Sequence, residues 1–144
     1  MELRPYAAAD ENAVVGLWQR CELTRPWNDP RKDIQRKLTV QPELFLVGEV
    51  DDRIIATIMA GFDGHRGWVN YLAVAPEHRA KGYGRLLMQY IEERLTSMGC
   101  PKLNVQVRAG NQGVLEFYRK IGYTTDEAVS LGKRLIPDIG ERRD

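Results

Sequence analysis

The seven residues from Arg79 to Arg85, RAKGYGR, carry three cationic side chains and two glycines, and they open directly into an apolar helical pattern. A glycine lacks a Cβ and lets the backbone come close to a ligand. Successive free N–H groups at a helix start form a concave anion site, helped by the helix dipole. Gly82 and Gly84 stand where such a site needs them, and Arg79, Lys81 and Arg85 bring side-chain charge to the same point. A pyrophosphate is the natural anion for so dense a donor set. Two familiar phosphate motifs are excluded. The dinucleotide fingerprint GxGxxG fails because Leu87 stands where its third glycine belongs, and the P-loop GxxxxGK[ST] fails because Gly84 is followed by Arg85 and Leu86. From the loop alone, a solvated connector with soluble surface cations stays open as an alternative.

The elements that must hold this loop are legible on either side of it. Trp68 to Val74 reads as a strand entering it, and Leu86, Leu87, Tyr90, Ile91, Leu95 and Met98 recur at helical spacing after it, up to Gly99 and Pro101. Leu103, Val105 and Val107 alternate with Asn104, Gln106 and Arg108, a strand with one buried face. A final helix is expected from Asn111 to Gly122, followed by a β-rich tail from Tyr123 to about Leu135. Upstream, a short strand near Glu2 to Arg4 leads to a helix over Glu11 to Glu22 with Asp10 as its N-cap and Val14, Val15, Leu17, Trp18 and Cys21 as its core stripe. The proline-bracketed loop RPWNDP, Arg25 to Pro30, exposes Trp27, and a short helix follows to Leu38. Leu44 to Val50 and Arg53 to Phe62 form a hairpin turning at Asp51-Asp52, and DGHRG turns the next one. The order β-α-α-β-β-β-α-β-α-β-β is α+β with a mixed sheet.

Composition narrows the function further. A chain of 144 residues is the length of one ordinary domain, and residues 1–144 are read as one. Its 21 Lys and Arg nearly cancel 20 Asp and Glu, which removes the whole-protein field that nucleic-acid binders use. Cys21 and Cys100 lie far apart with no CxxC partner, so neither a disulfide framework nor a zinc site is expected, and no metal is called for. The first residues hold no apolar leader core and the longest apolar run, IIATIMA, is too short to span a bilayer. No membrane partner and a cytoplasmic location are expected.

The pattern Arg79-Ala-Lys-Gly82-Tyr-Gly84, R-x-x-G-x-G, preceded by YLAVAPEH and followed by an amphipathic helix, resembles the coenzyme A-binding motif of the GNAT N-acetyltransferases. NVQVRAGNQGVLEFYRKIGY, Asn104 to Tyr123, resembles that family's second signature, and the element order resembles the GNAT fold over nearly the whole chain. RPWNDP, GFDGHRG and SLGKRLI look closer still to the bacterial YpeA-type acetyltransferases. The resemblance implies acetyl-CoA as co-substrate. It also implies that Leu72, Ala73 and Val74 offer their backbone to the pantetheine arm, which fills an opening between two splayed strands and satisfies their unpaired polar groups. Arg79, Ala80, Lys81, Gly82, Tyr83 and Gly84 would wrap the pyrophosphate with Arg85 close by, and an N–H near Val74 would polarise the thioester carbonyl. Asn111 matches an asparagine that orients the cofactor arm, although any helix wants an N-cap asparagine there. Tyr118 matches the tyrosine that protonates the departing thiolate, against the alternative of a core aromatic beside Val114, Leu115, Phe117 and Ile121.

The general base does not follow from the pattern. Gln106 stands where some relatives carry a glutamate, and WVNYLAV holds no acid. Glu49, Asp63 and His65 remain, acting through water, each with ordinary turn or strand-edge chemistry as its alternative; loss of the amine proton to ordered water is the working choice. Asp29, Trp27 and the DGHRG turn are candidates for the acceptor side, facing a small-molecule or a protein or peptide amine of polar, even cationic, character. Three readings result: an N-acetyltransferase acting on a primary amine by direct attack in a ternary complex, a catalytically silent acyl-CoA-binding sensor, and a nucleotide- or nucleic-acid-binding module. The near-zero net charge counts against nucleic acid. The β tail offers an edge through which a homodimer could pair.

Overall fold

Asp51 and Asp52 both adopt positive φ, 51° and 62°, the backbone a two-residue hairpin turn requires, and they join two antiparallel neighbours of the sheet. The computed structural model describes residues 1–139. The strands are β1 (Glu2–Pro5), β2 (Phe45–Val50), β3 (Arg53–Phe62), β4 (Gly67–Val74) and β5 (Leu103–Val105), and the helices are α1 (Glu11–Arg20), α2 (Pro30–Lys37), α3 (Tyr83–Ser97) and α4 (Gln112–Lys120). The sheet runs β1-β2-β3-β4-β5, antiparallel through β4, with β5 added parallel to β4. A mixed α+β sheet flanked by helices is therefore what the sequence folds into.

Side-chain alternation along β3 fixes which helices share a face. At Gly61 a Cβ would lie 3.5 Å from Lys37 Nζ of α2, and two periods back Thr57 bonds to Trp18 of α1, so α1 and α2 cover one face. At Gly67, on the opposite phase, a Cβ would meet Leu95 of α3 and Cys100. The face beneath α3 is the other one. Trp18, Leu17 and Ile34 on one side and Leu87, Met88 and Ile91 on the other are fully buried. Each large aliphatic side chain so buried contributes about 1.5–3 kcal/mol.

Three local expectations are corrected. Asp10 precedes α1, but its carboxylate caps nothing there; it accepts from the Ala7 amide and from both terminal nitrogens of Arg4. The ion pair with Arg4 outcompetes the cap and holds Asp10 below the usual carboxylate range. The strand expected over Leu103 to Arg108 stops at Val105, because β5 leaves β4 there. The β-rich tail is not formed: among the described residues no strand follows Tyr123. Val129, Leu131 and Leu135 are 87%, 92% and 83% exposed. Strand-forming residues without a face to bury gain little from a ladder. The tail follows β5 by side chains instead, with Asp126 accepting from Lys102 Nζ (2.7 Å) and Asn104 Nδ2 (2.6 Å), and Ser130 Oγ accepting from Gln106 Nε2 (2.8 Å).

Candidate active site

β4 and β5 are paired only at Gly67–Leu103, Trp68–Asn104 and Val69–Val105. Beyond Val69 the edge of β4 facing β5 has no strand partner, so the two strands open like a V. Leu72, Ala73 and Val74 line this unpaired stretch. The Val74 carbonyl accepts from Arg79 Nε at 3.1 Å and from Cys21 Sγ at 3.4 Å.

The basic loop lies at the open end of the V. Ala80 (φ +63°) and Gly82 (φ +81°) are both left-handed, and Gly82 is the N-cap of α3. A Cβ at Gly82 would meet nothing within 4 Å, so the backbone angle, not space, calls for glycine there. Gly84 differs: its Cβ would lie 3.1 Å from the Phe117 ring of α4. This glycine lets α3 and α4 close against each other. From Ala80 to Arg85, among the described residues, no backbone amide finds an acceptor; Leu86 is the first to do so, donating to the Gly82 carbonyl at 3.1 Å. Lys81 Nζ stands 3.4 Å from His78 Nδ1. Tyr83 is half-buried and Arg85 exposed. The stretch thus offers a run of free donors beside exposed cations at the positive end of a helix of 15 residues.

Tyr118 is the only tyrosine of the described chain that is buried, 6% exposed, with its ring edge-on to Phe117 and Tyr123. Its neighbour Tyr123 ties up its own hydroxyl by donating to Glu92 at 2.6 Å, and Tyr71, on the other face of the sheet, donates to Asp33 at 2.6 Å. The Tyr118 hydroxyl makes no hydrogen bond among the described residues, and since no buried side-chain polar atom there lacks a partner, this oxygen is the part of the side chain that reaches solvent. Burial pushes its pKa up to about 12, so it stays protonated. Asn111 is the N-cap of α4, its Oδ1 accepting from the Val114 amide at 3.2 Å.

Both carboxylates weighed from sequence as bases are engaged elsewhere, and His65 lies exposed in its turn. Glu49 accepts from Arg4 on β1, and Asp63 Oδ1 accepts the His65 and Arg66 amides inside its own turn, which holds Asp63 below the usual carboxylate range. The DGHRG turn sits where β4 and β5 are still paired. Asp29 caps α2 through Arg31 N and donates its own amide to the buried Asp138. Trp27 is 48% exposed and takes the Arg108 guanidinium over its ring at 5.9 Å, which bridges the loop before α2 to the segment that follows β5.

A polar group that sequence reasoning passed over lies on this α1/α2 side. Tyr71 sits inside β4 at φ +53°, an outlier for a bulky residue. Thr57 faces Ala73 and Met59 faces Asn70, so Tyr71 and Leu72 together oppose the single residue Ile58, a β-bulge. The bulge is held from several directions. The Tyr71 carbonyl accepts from the buried Thr57 Oγ1 (2.8 Å), which accepts from Trp18 Nε1 (2.8 Å), and the Tyr71 ring stacks on Trp18 at 3.7 Å. Its hydroxyl donates to Asp33 Oδ2 and accepts from Asn28 Nδ2 at 3.2 Å. Strand alternation contains no signal for a positive φ; the one available clue was the acid and amide of Asn28 and Asp33 flanking Pro30.

These features define an acyl-transfer fold, and comparison with known proteins gives the family. Residues 6–123 match the acetyltransferase (GNAT) family, to which this chain belongs. It is an acetyl-CoA-dependent N-acetyltransferase. An acetyltransferase of Yersinia enterocolitica is 48% identical over 138 residues, spanning 96% of this chain and 98% of that one, and one of Pectobacterium atrosepticum is 47% identical over the same shares. Among solved structures, an aminoglycoside 6'-N-acetyltransferase from Acinetobacter haemolyticus superposes with a TM-score of 0.75 at 18% identity, covering 94% of this chain and 99% of that one. The PaiA N-acetyltransferase of Thermoplasma acidophilum in complex with coenzyme A gives 0.75 at 16% identity, covering 89% and 92%. At such identities the likeness is one of fold. Among the described residues no helix is long and apolar enough to cross a membrane.

Proposed function

We propose that this protein moves an acetyl group from acetyl-CoA to a primary amine, of a small molecule or a polypeptide, by direct attack in a ternary complex. The observation that carries the reading is the run of unpartnered amides from Ala80 to Arg85 at the start of α3, set at the mouth of the β4/β5 opening. Unpaired donors are costly to bury empty and favourable to aim at an anion. Arg79, Ala80, Lys81, Gly82, Tyr83 and Gly84 would hold the pyrophosphate with Arg85 beside them. Arg79 would leave the Val74 carbonyl to do so, freeing that carbonyl for a pantetheine amide. Leu72, Ala73 and Val74 supply the rest of the strand edge. Asn111 fixes the start of α4 and, with its remaining amide group, orients the same arm. Acetyl-CoA supplies an activated carbonyl and a thiolate leaving group. Tyr118, protonated and without a protein partner, delivers its proton to the departing sulfur.

The test is thermal. A ligand that binds only the native state adds about 2.7 kcal/mol at a hundredfold excess over its dissociation constant. Saturating acetyl-CoA should raise the melting temperature by several degrees, whereas S-acetylpantetheine, which lacks the pyrophosphate and nucleotide, should not. An unchanged melting curve with folded protein would remove the cofactor assignment.

A further inference from the structure

We propose that Tyr71 and Asp33 form the proton relay that accepts the amine proton, an inference that rests on the transferase reading above. The relay is assembled from three elements: Tyr71 from the bulge of β4, Asp33 from the first turn of α2, and Asn28 from the loop before it. Its valences leave one place open. A phenolic oxygen has one proton to give and two lone pairs to receive with. The proton goes to Asp33 Oδ2 at 2.6 Å and one lone pair takes Asn28 Nδ2 at 3.2 Å, so one lone pair stays free for an incoming N–H.

The placement suits the chemistry. Tyr71 stands in the part of β4 that β5 has left, and its side chain turns to the α1/α2 face, where it meets Trp18 and Asp33. Tyr118 belongs to the other face, tied through Tyr123 to Glu92 of α3. An amine approaching from the first face and a thiolate leaving toward the second flank one carbonyl. In the step, the amine nitrogen bonds to the thioester carbon and the carbon–sulfur bond breaks. The amine proton passes to Tyr71 Oη as the Tyr71 proton passes to Asp33, and the Tyr118 proton passes to sulfur. Asp33 then loses its proton to solvent and Tyr118 regains one. No further reactant is needed.

The cost of the arrangement argues that it is used. A bulky residue at positive φ within a strand is strained and persists only where the surroundings over-determine it. Here Thr57, Trp18, Asn28 and Asp33 all hold Tyr71. The charged groups around Asp33 are Arg36 on its own helix, at 3.3 Å, and, reached through Asn28 and Arg36, Arg134 and Asp138 of the tail. Lys32 binds the Asp138 carbonyl. Asp33 is therefore polarised yet keeps a path to solvent, its side chain being 24% exposed.

The experiment uses hydroxylamine as the amine at saturating acetyl-CoA, with thiol release as the signal. Wild-type protein should release thiol well above the uncatalysed rate. Tyr71→Phe and Asp33→Asn should each lower turnover by about 10²–10⁴, with unchanged acetyl-CoA affinity by calorimetry, and the double variant should fall no further than either. Asp33→Ala should recover turnover when formate is added, which a purely structural carboxylate would not allow. Single variants within a few-fold of wild type, or an Asp33→Ala protein that formate fails to restore, would overturn the relay while leaving the transferase intact. A wild type that releases no thiol would overturn both.

Discussion

Tyr118 and Tyr71 are both half a step from being ordinary core tyrosines, and the hydroxyl partner separates their roles. Tyr71 is wired to a carboxylate and suits proton uptake, whereas Tyr118 has nothing to bond and suits proton delivery. Tyr118→Phe keeps the ring and its edge-on contacts, so turnover should fall by about 10²–10⁴ with acetyl-CoA affinity nearly unchanged; steady-state kinetics and calorimetry on the one variant decide it. Because its hydroxyl makes no protein bond, the same variant should keep its melting temperature at neutral pH. High pH gives a second readout. The folded-state pKa of about 12 lies above the unfolded value of about 10, so the neutral phenol stabilises the fold fully below pH 10 and loses that contribution as pH rises to 12. Tyr71 and Tyr123, raised by burial and by their carboxylate partners, act in the same direction. Urea midpoints should therefore drop as pH rises from about 10 to about 12, and the drop should be shallower in Tyr118→Phe.

The element we propose for cofactor binding is the turn into α3, and its two glycines do different work. Gly82→Val forces a β-branched residue to φ +81°, which tilts the free amides away from a common point. Arg79→Ala removes a charge-assisted contact worth about 1.5–3 kcal/mol. Acetyl-CoA affinity should fall by about 10- to 100-fold in each, measured by calorimetry on folded protein; wild-type affinity in both would make the loop a connector. Helix α3 and strands β2 to β4 were readable because each carries its own period, as Leu87, Ile91 and Leu95 do at helical spacing. The tail was misread because Val129 and Leu131 have strand chemistry but no neighbour to pack on. The sequence pattern assigns Gly84 a ligand-approach role, and its structural reason, Phe117 at 3.1 Å, stands 33 residues further along on another helix.

At the scale of the molecule, the two faces of one sheet would divide the proposed reaction, with α1 and α2 on the side of Tyr71 and α3 and α4 on the side of Tyr118. The tail joins that division. Asp138, buried near α2, accepts from the Asp29 amide and pairs with Arg36 and Arg134, while Arg134 also donates to Asn28 Oδ1 at 3.0 Å, so the last described residues brace the loop that carries the relay. The sequence by itself determined the helices and strands with their own period, the hairpin at Asp51-Asp52, the family signatures, the loop Arg79 to Arg85 and the candidacy of Tyr118, because each is written in residues adjacent or regularly spaced along the chain. Only the tertiary structure decided that the splay of β5 from β4 implied by the resemblance begins after Val69, that Tyr71 turns over at a bulge, and that Asp33, 38 residues away, meets its hydroxyl. Those facts depend on side chains brought together across distant segments, and a positive φ held by four neighbours leaves no trace in the local pattern of any of them.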